Sequence, residues 1–173
     1  MSNKKSGQSV SSPIALLRNM QLAAQENPLF QVEVESRREA FVGFSLCGTD
    51  YLAPLASVPE IIRIPENFVP VPGVKKWMAG LANVRGALLP LVDFQQFLCQ
   101  QSVHLSSAAR VLVIDHADLR TGLIVPMAHG LIYLDSMEQL TGEGESIRAE
   151  ERDWKLLDME WLVTNQDFRQ AAT

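Results

Sequence analysis

Three histidines and two cysteines carry the most versatile chemistry in this sequence, and their spacing organises none of it. His104, His116 and His129 fall in a polar stretch, a turn and a strand edge. They lack the short helical spacing that puts metal ligands on one face. Asp115-His116 beside Asp118 is the best candidate for acid–base work, because a carboxylate next to an imidazole fixes its tautomer and can aim it at a serine. No serine or cysteine near it in sequence has an activating context, and turns after strands are rich in Asp anyway. Cys47 and Cys99 are far apart and have no metal-type spacing, so they read as reduced core or boundary residues. No phosphate-binding loop, nucleophile elbow, zinc-protease helix or dinucleotide-binding glycine pattern occurs. The expectation is a protein with no catalytic residue, no metal and no cofactor.

The densest local pattern lies elsewhere, from Gly80 through Leu81, Ala82, Asn83, Val84, Arg85, Gly86 and Pro90 to Asp93. Glycines permit a tight turn or close backbone approach, Asn83 can brace the turn, and Arg85 projects a forked cation from it. A guanidinium in such a place wants a carboxylate. Glu60 is the expected partner, because an acid set between Val58 and Ile61 is costly to desolvate alone. The bland alternative is an exposed pair worth ~0–1 kcal/mol.

These residues must be positioned by a chain of 173 residues, 47% apolar and 20% charged, with a net charge of −5. Most of that charge sits in 138–153, where Glu138, Glu143, Glu145, Glu150, Glu151 and Asp153 outnumber Arg148 and Arg152. The remainder is nearly neutral and has no basic stripe, which excludes a phosphate-backbone binder. The basic start Met1–Lys5 is followed only by the short apolar run Pro13–Leu17, too little for a signal-peptide core. No stretch approaches the ~20 apolar residues of a membrane helix. A cytoplasmic protein without direct membrane insertion is expected.

Along the chain, Ser11-Ser12-Pro13 starts a helix that ends near Asn27-Pro28, inside a helical extension and connector over 1–38. From Phe41 the period becomes two, with a hairpin turning at Gly48-Thr49-Asp50 into Tyr51–Ala53. Val58–Ile64 reads as a strand, and a helical turn is expected near 74–79. Leu81–Val84 and Ala87–Val92 flank the Arg85-Gly86 turn, and Asp93 caps a short helix over 93–99. Val111–Ile114 and Gly122–Val125 form a second hairpin around His116-Ala117-Asp118, followed by a strand at Leu131–Leu134. The acidic 138–153 segment reads as an exposed loop, Trp154–Val163 as a returning strand, and the tail from Asn165 as a last helix.

Shifting the sequence by 70 residues sets Ala53, Leu55, Val58, Ile61 and Ile62 against Leu123, Val125, Ala128, Leu131 and Ile132. The shared apolar skeleton suggests two similar small β units within 39–173. Many short strands and few helices point to small barrels or sandwiches.

Gly80, Asn83, Arg85, Gly86, Pro90 and Asp93, preceded by Ser57-Val58-Pro59-Glu60-Ile61-Ile62 and followed by Gly122-Leu123-Ile124-Val125, resemble the CheW-like domain of bacterial chemosensory systems. The resemblance runs from about Phe41 to Leu134 and more loosely through Trp161–Phe168. It implies a mainly β fold of two SH3-like five-stranded barrels sharing an apolar interface. It also implies a non-catalytic adaptor, joining the cytoplasmic tip of a methyl-accepting receptor to the regulatory domain of a CheA-type histidine kinase. The run Pro72–Gly86, the N-terminal helix and the Val111–Val125 hairpin look like the family's PilI branch, which serves type IV pili and twitching motility. That likeness implies a PilJ-type receptor, a ChpA-type kinase and recruitment to inner-membrane arrays. A generic flagellar CheW adaptor is the alternative, and a small β-rich ligand-binding or hydrolytic domain using His116 a more distant one.

The partner-binding residues expected on this basis are Val58, Glu60, Ile62, Leu81, Asn83, Val84, Arg85 and Gly86, with the four apolar ones near a groove between the barrels and Arg85 at its rim. Two departures stand out. Pro54 and Ala56 replace acids common in the family, and Gly130 lies opposite Glu60 in the second half. Pro54 lacks a ladder donor and belongs at a strand end or an edge.

Overall fold

Alternation along the central strands sorts the apolar residues into three cores, and the fold follows from keeping all three dry. In the computed structural model the described residues are 38–116, 119–135 and 146–172, within a unit spanning Glu39–Thr173. The helix expected from Ser11-Ser12-Pro13 to near Asn27-Pro28, Ala117-Asp118 of the expected second hairpin turn, and residues 138–145 of the acidic segment lie outside them.

Eleven strands and three short helices are described. The strands are β1 (Arg38–Leu46), β2 (Thr49–Pro54), β3 (Glu60–Arg63), β4 (Phe68–Val69), β5 (Met78–Val84), β6 (Ala87–Asp93), β7 (Arg110–His116), β8 (Leu119–Val125), β9 (Met127–Asp135), β10 (Ser146–Ala149) and β11 (Arg152–Leu156). The helices are α1 (Phe94–Cys99), α2 (Met159–Thr164) and α3 (Gln166–Ala172). One sheet has the order β10-β11-β2-β1-β9 and the other β3-β7-β8-β6-β5-β4.

The two sheets correspond strand for strand once the short β4 is set aside. Each contains an antiparallel hairpin, β1–β2 or β7–β8, beside the first strand to follow the other hairpin, β9 or β3. Each then adds a second hairpin in parallel contact with the first, β11 against β2 and β6 against β8. Both second hairpins lead to a helix capped by an aspartate: Asp93 accepts from the Gln96 N–H and Asp158 from the Trp161 N–H. The two units seen in the sequence shift are therefore real, but they exchange strands. Each half of the chain places its hairpin in one sheet and its next strands in the other.

That exchange is what the alternating pattern demands. Val42, Phe44 and Leu46 of β1 and Ala53 of β2 meet Val92, Leu112, Ile114, Leu123 and Val125 of the other sheet in a shared core, closed by Phe94, Leu162 and Phe168. The intervening residues turn the other way. Leu91, Val111, Val113 and Ile124 fill the six-stranded sheet's own interior, while Phe41, Leu52, Ile132, Leu134 and Trp154 fill that of its counterpart. Strands buried on both faces need apolar residues at nearly every position, as in Val111–Ile114 and Gly122–Val125.

Three two-residue hairpin turns are described, and each has positive φ at both positions: Cys47-Gly48, Arg85-Gly86 and Glu150-Glu151. Such turns match the twist of the flanking strands. Gly80 solves a different problem, since a side chain there would collide with the Val69 carbonyl where β4 pairs with β5.

Several expectations are corrected. Residues 74–77 form turns rather than a helix over 74–79, because Gly73 takes a left-handed conformation, Met78 N–H closes on the Lys75 carbonyl, and Met78 already pairs with Val92 in β5. The first hairpin turns at Cys47-Gly48, not at Gly48-Thr49-Asp50. Over 146–153 the expected acidic loop is the β10–β11 hairpin, since Ile147 and Trp154 pair across it and turn inward. The returning strand stops at Leu156, and Met159, Leu162 and Val163 bury one face of a helix instead. Cys47 and Cys99, read as reduced thiols, are joined as a disulfide, a pairing that only the long-range fold creates. Pro54 does end a strand, with its carbonyl accepting from Ser57 N–H.

Truncating Leu112→Ala in the shared core should lower the unfolding free energy by about 2–5 kcal/mol in urea titration. A cost near that of a surface substitution would mean that the two sheets do not share this layer. Replacing Glu151 by Gly should raise stability by about 1 kcal/mol in the same assay, because only glycine adopts its left-handed conformation without strain.

Candidate functional site

Arg85 Nη2 lies 2.8 Å from Glu60 Oε1, the pairing that the sequence suggests. The two residues come from opposite sides of the six-stranded sheet: Glu60 begins β3, at one end of the strand order, and Arg85 tops the β5–β6 turn toward the other. Their contact therefore closes the sheet into a barrel at its rim. Ile62, two residues on from Glu60, packs on the barrel interior with Val84, while Ile61 packs on the shared core. Gly86 N–H donates to Asn83 Oδ1 at 2.9 Å, so the asparagine braces the turn that presents Arg85.

The guanidinium is 78% exposed and the carboxylate 23%. With the guanidinium this exposed, the pair contributes ~0–1 kcal/mol, little of the stability of the fold. Asn83 and Gly86 are exposed beside it, and Leu88, across the turn from Asn83, is 71% exposed. The result is a cationic tip on a rigid turn with an apolar side chain next to it.

The eight expected binding residues thus separate into groups. Glu60, Arg85, Gly86 and Asn83 form the rim; Ile62 and Val84 support it from inside; Leu81 lies on the face of β5 opposite buried Ala82. Val58 does not belong with them. It is fully buried in the shared core because the connector after β2 folds back there, its N–H donating to the Pro54 and Leu55 carbonyls. An apolar groove of about 740 Å³ exists, but it is lined by Glu39, Ala40, Phe41, Pro54, Leu55, Ala56, Ile147 and Leu156, none of the eight.

Two histidines have partners that spacing could not reveal. His116 Nδ1 is 3.1 Å from Ser57 Oγ; Ser57 is buried, and its carbonyl accepts from Asp115 N–H. This contact ties the β2–β3 connector to β7. His129 Nε2 lies 2.7 Å from Ser45 Oγ, which donates to Asp50 Oδ1 at 2.6 Å. Arg152 Nη1 reaches Asp50 Oδ2 at 3.3 Å, and the imidazole stands edge-on to Trp154. Serine and carboxylate meet the same ring nitrogen, Asp50 Oδ1 lying 3.4 Å from His129 Nε2, so the carboxylate does not orient the ring from its far side as in a hydrolytic triad. The network instead fastens four neighbouring strands, β11, β2, β1 and β9. Alternation alone marks Ser45 and Asp50 as facing residues; nothing in sequence marks His129 or Arg152. Among the described residues no group of three or more His, Cys, Asp or Glu converges as a metal site.

The hydrogen bond from Ser45, aided by His129 and Arg152 and opposed by burial, holds the Asp50 carboxyl below its ordinary value. Its ionised form is thus favoured in the folded state. The network's contribution is complete above about pH 4 and fades as pH falls toward the lowered folded value. Asp50→Asn should therefore cost stability near neutrality, with the gap from wild type narrowing as pH falls below about 4, through the ordinary aspartate value and toward the lowered folded one. A gap independent of pH would show that the carboxylate charge plays no part.

Comparison with known proteins places this architecture. A profile of the CheW-like domain matches residues 40–164. Protein PilI of Pseudomonas aeruginosa is 41% identical over 90 residues, 52% of this chain and 50% of that protein. Chemotaxis protein CheW of Bacillus subtilis is 26% identical over 100 residues, 58% of this chain and 64% of that one. The matched stretches span from half to just under two-thirds of these relatives. The crystal structure of scaffolding protein TtCheW from Thermoanaerobacter tengcongensis shares the fold, with a TM-score of 0.61 at 17% identity over 75% of this chain and 94% of that one.

Proposed function

Because the chain belongs to the CheW-like domain family, we propose that it is a non-catalytic adaptor coupling the cytoplasmic tip of a methyl-accepting receptor to the regulatory domain of a CheA-type histidine kinase. The match over 40–164 carries this reading. The higher identity to PilI than to the B. subtilis CheW favours a type IV pilus system, with a PilJ-type receptor and a ChpA-type kinase, over a flagellar one. The protein then works at the cytoplasmic face of the inner membrane, recruited there by its partners. Among the described residues no helix is long and apolar enough to cross a membrane.

The rim of the six-stranded barrel is the contact surface in this reading. Glu60 and Arg85 present a fixed charge pattern, Asn83 and Gly86 shape the turn, and Leu81, Ile62 and Val84 supply apolar surface beneath and beside it. Val58 supports them from the core without reaching a partner. Charge at the edge of an interface governs partner choice and association rate more than fold stability. An adaptor alters kinase output only where it binds one kinase state better than another, and a rim held on a rigid barrel can make that distinction.

Titrating the full chain against purified receptor tip and kinase regulatory domain, each separately, tests the reading. Binding of at least one in the micromolar range is expected, and binding of neither overturns it. Arg85→Glu should weaken that binding about tenfold while changing stability by less than about 1 kcal/mol. Adding Glu60→Arg to Arg85→Glu should restore the fold's ion pair but not the affinity. If both variants bind like wild type, the rim is not the contact surface.

A further inference from the structure

Cys47 and Cys99 come together across the boundary between the two sheets. Cys47 opens the two-residue turn of the β1–β2 hairpin, exposed and in the left-handed conformation. Cys99 ends α1, which follows β6 of the other sheet, and is half-buried. Their Cα atoms are 6.4 Å apart, within the range of ~4.4–6.8 Å that a disulfide spans. Leu46, next to Cys47, and Phe94, which opens the helix that Cys99 ends, both enter the shared core, so the bond links two elements anchored in the layer that holds the sheets together.

We propose that this pair is a reversible thiol–disulfide site that reacts with low-molecular-weight disulfides such as oxidised glutathione, and that its oxidised form staples one barrel to the helix of the other. The fold does not need the bond, because the apolar residues of both sheets already interdigitate; the dithiol form keeps the same architecture. Access is asymmetric, with the turn cysteine exposed and the helix cysteine behind it. The Cys47 thiolate attacks a glutathione disulfide sulfur, forming a mixed disulfide and releasing one glutathione thiolate. The Cys99 thiolate then attacks Cys47 Sγ, closing the protein disulfide and releasing the second. Two protein thiols are oxidised, one glutathione disulfide is reduced to two thiols, and the two protons pass to the released thiolates. In a reducing compartment such bridges are redox-responsive rather than permanent.

The bridge also bears on the helices. Phe97, two residues before Cys99, has its ring centroid 5.2 Å from that of Trp77, 5.4 Å from that of Phe168 and 6.4 Å from that of Trp161. Restraining the end of α1 restrains this cluster and, through it, α2 and α3. The inference goes beyond the adaptor reading and does not depend on it.

Equilibrating the purified full chain in glutathione redox buffers, trapping with a maleimide under denaturing conditions and weighing the intact protein tests the proposal. In excess oxidised glutathione neither thiol should be trapped and no glutathione should remain attached. A dithiol reductant without denaturant should return both thiols. The oxidised form should melt about 10 °C above the reduced form, with Cys47→Ser and Cys99→Ser melting alongside reduced wild type. Persistent free thiols, a glutathione adduct that never resolves, resistance to native reduction, or equal melting of the two forms would each overturn it. These wild-type readouts stand even where a serine variant fails to fold.

Discussion

The structure depends on a single apolar layer shared by two sheets. Neither sheet is large enough to bury its residues by curling on itself, because β1, β2, β7 and β8 are apolar on both faces. One face fills the barrel interior and the other must find a second surface. Each barrel supplies that surface to the other, and the strand that follows each hairpin crosses over to seal it. Fully burying a Leu, Ile or Phe side chain is worth about 1.5–3 kcal/mol, so the shared layer outweighs every ion pair on the surface. The two barrels consequently form one body with three dry compartments.

That rigidity gives the rim its character. Glu60 and Arg85 sit at the mouth of one barrel, at the ends of elements whose other residues are anchored inside. A wet ion pair adds little to stability, but it holds charge and shape in fixed relation while leaving the guanidinium exposed. The pseudo-equivalent position on the other barrel departs from this arrangement. Its turn carries Glu150-Glu151 in place of Arg85-Gly86, and Gly130 stands where Glu60 would. The two turns therefore carry opposite charge, and in the proposed adaptor role they are not interchangeable surfaces.

Much of this was legible from the residues. The Arg85–Glu60 pairing followed from the cost of an unpaired acid between strand apolars, and the Asn83 brace and Asp93 cap followed from local turn and helix chemistry. Local reasoning failed where partners are distant in sequence. Val58 looked like a groove residue, yet the connector folds it into the core. Cys47 and Cys99 looked like separate thiols because nothing between them signals that the turn of one sheet meets the helix of the other. His129 could be placed only at a strand edge, without its partners, and neighbouring strands supply the serine, the carboxylate and the arginine that fix it.

The amino-acid sequence by itself determined most of the central strands, the Arg85-Gly86 turn, the internal duplication and the family, because these rest on period, propensity and motif, all local quantities. The tertiary structure alone decided which sheet each strand joins, which face of each strand meets which core, and which of the singled-out residues reach the surface. The physical reason is that an alternating apolar pattern specifies that both faces be buried but not against what. Burial against a distant strand is settled only when all three compartments close at once, and the same closure brings the disulfide, the histidine network and the barrel rim into being.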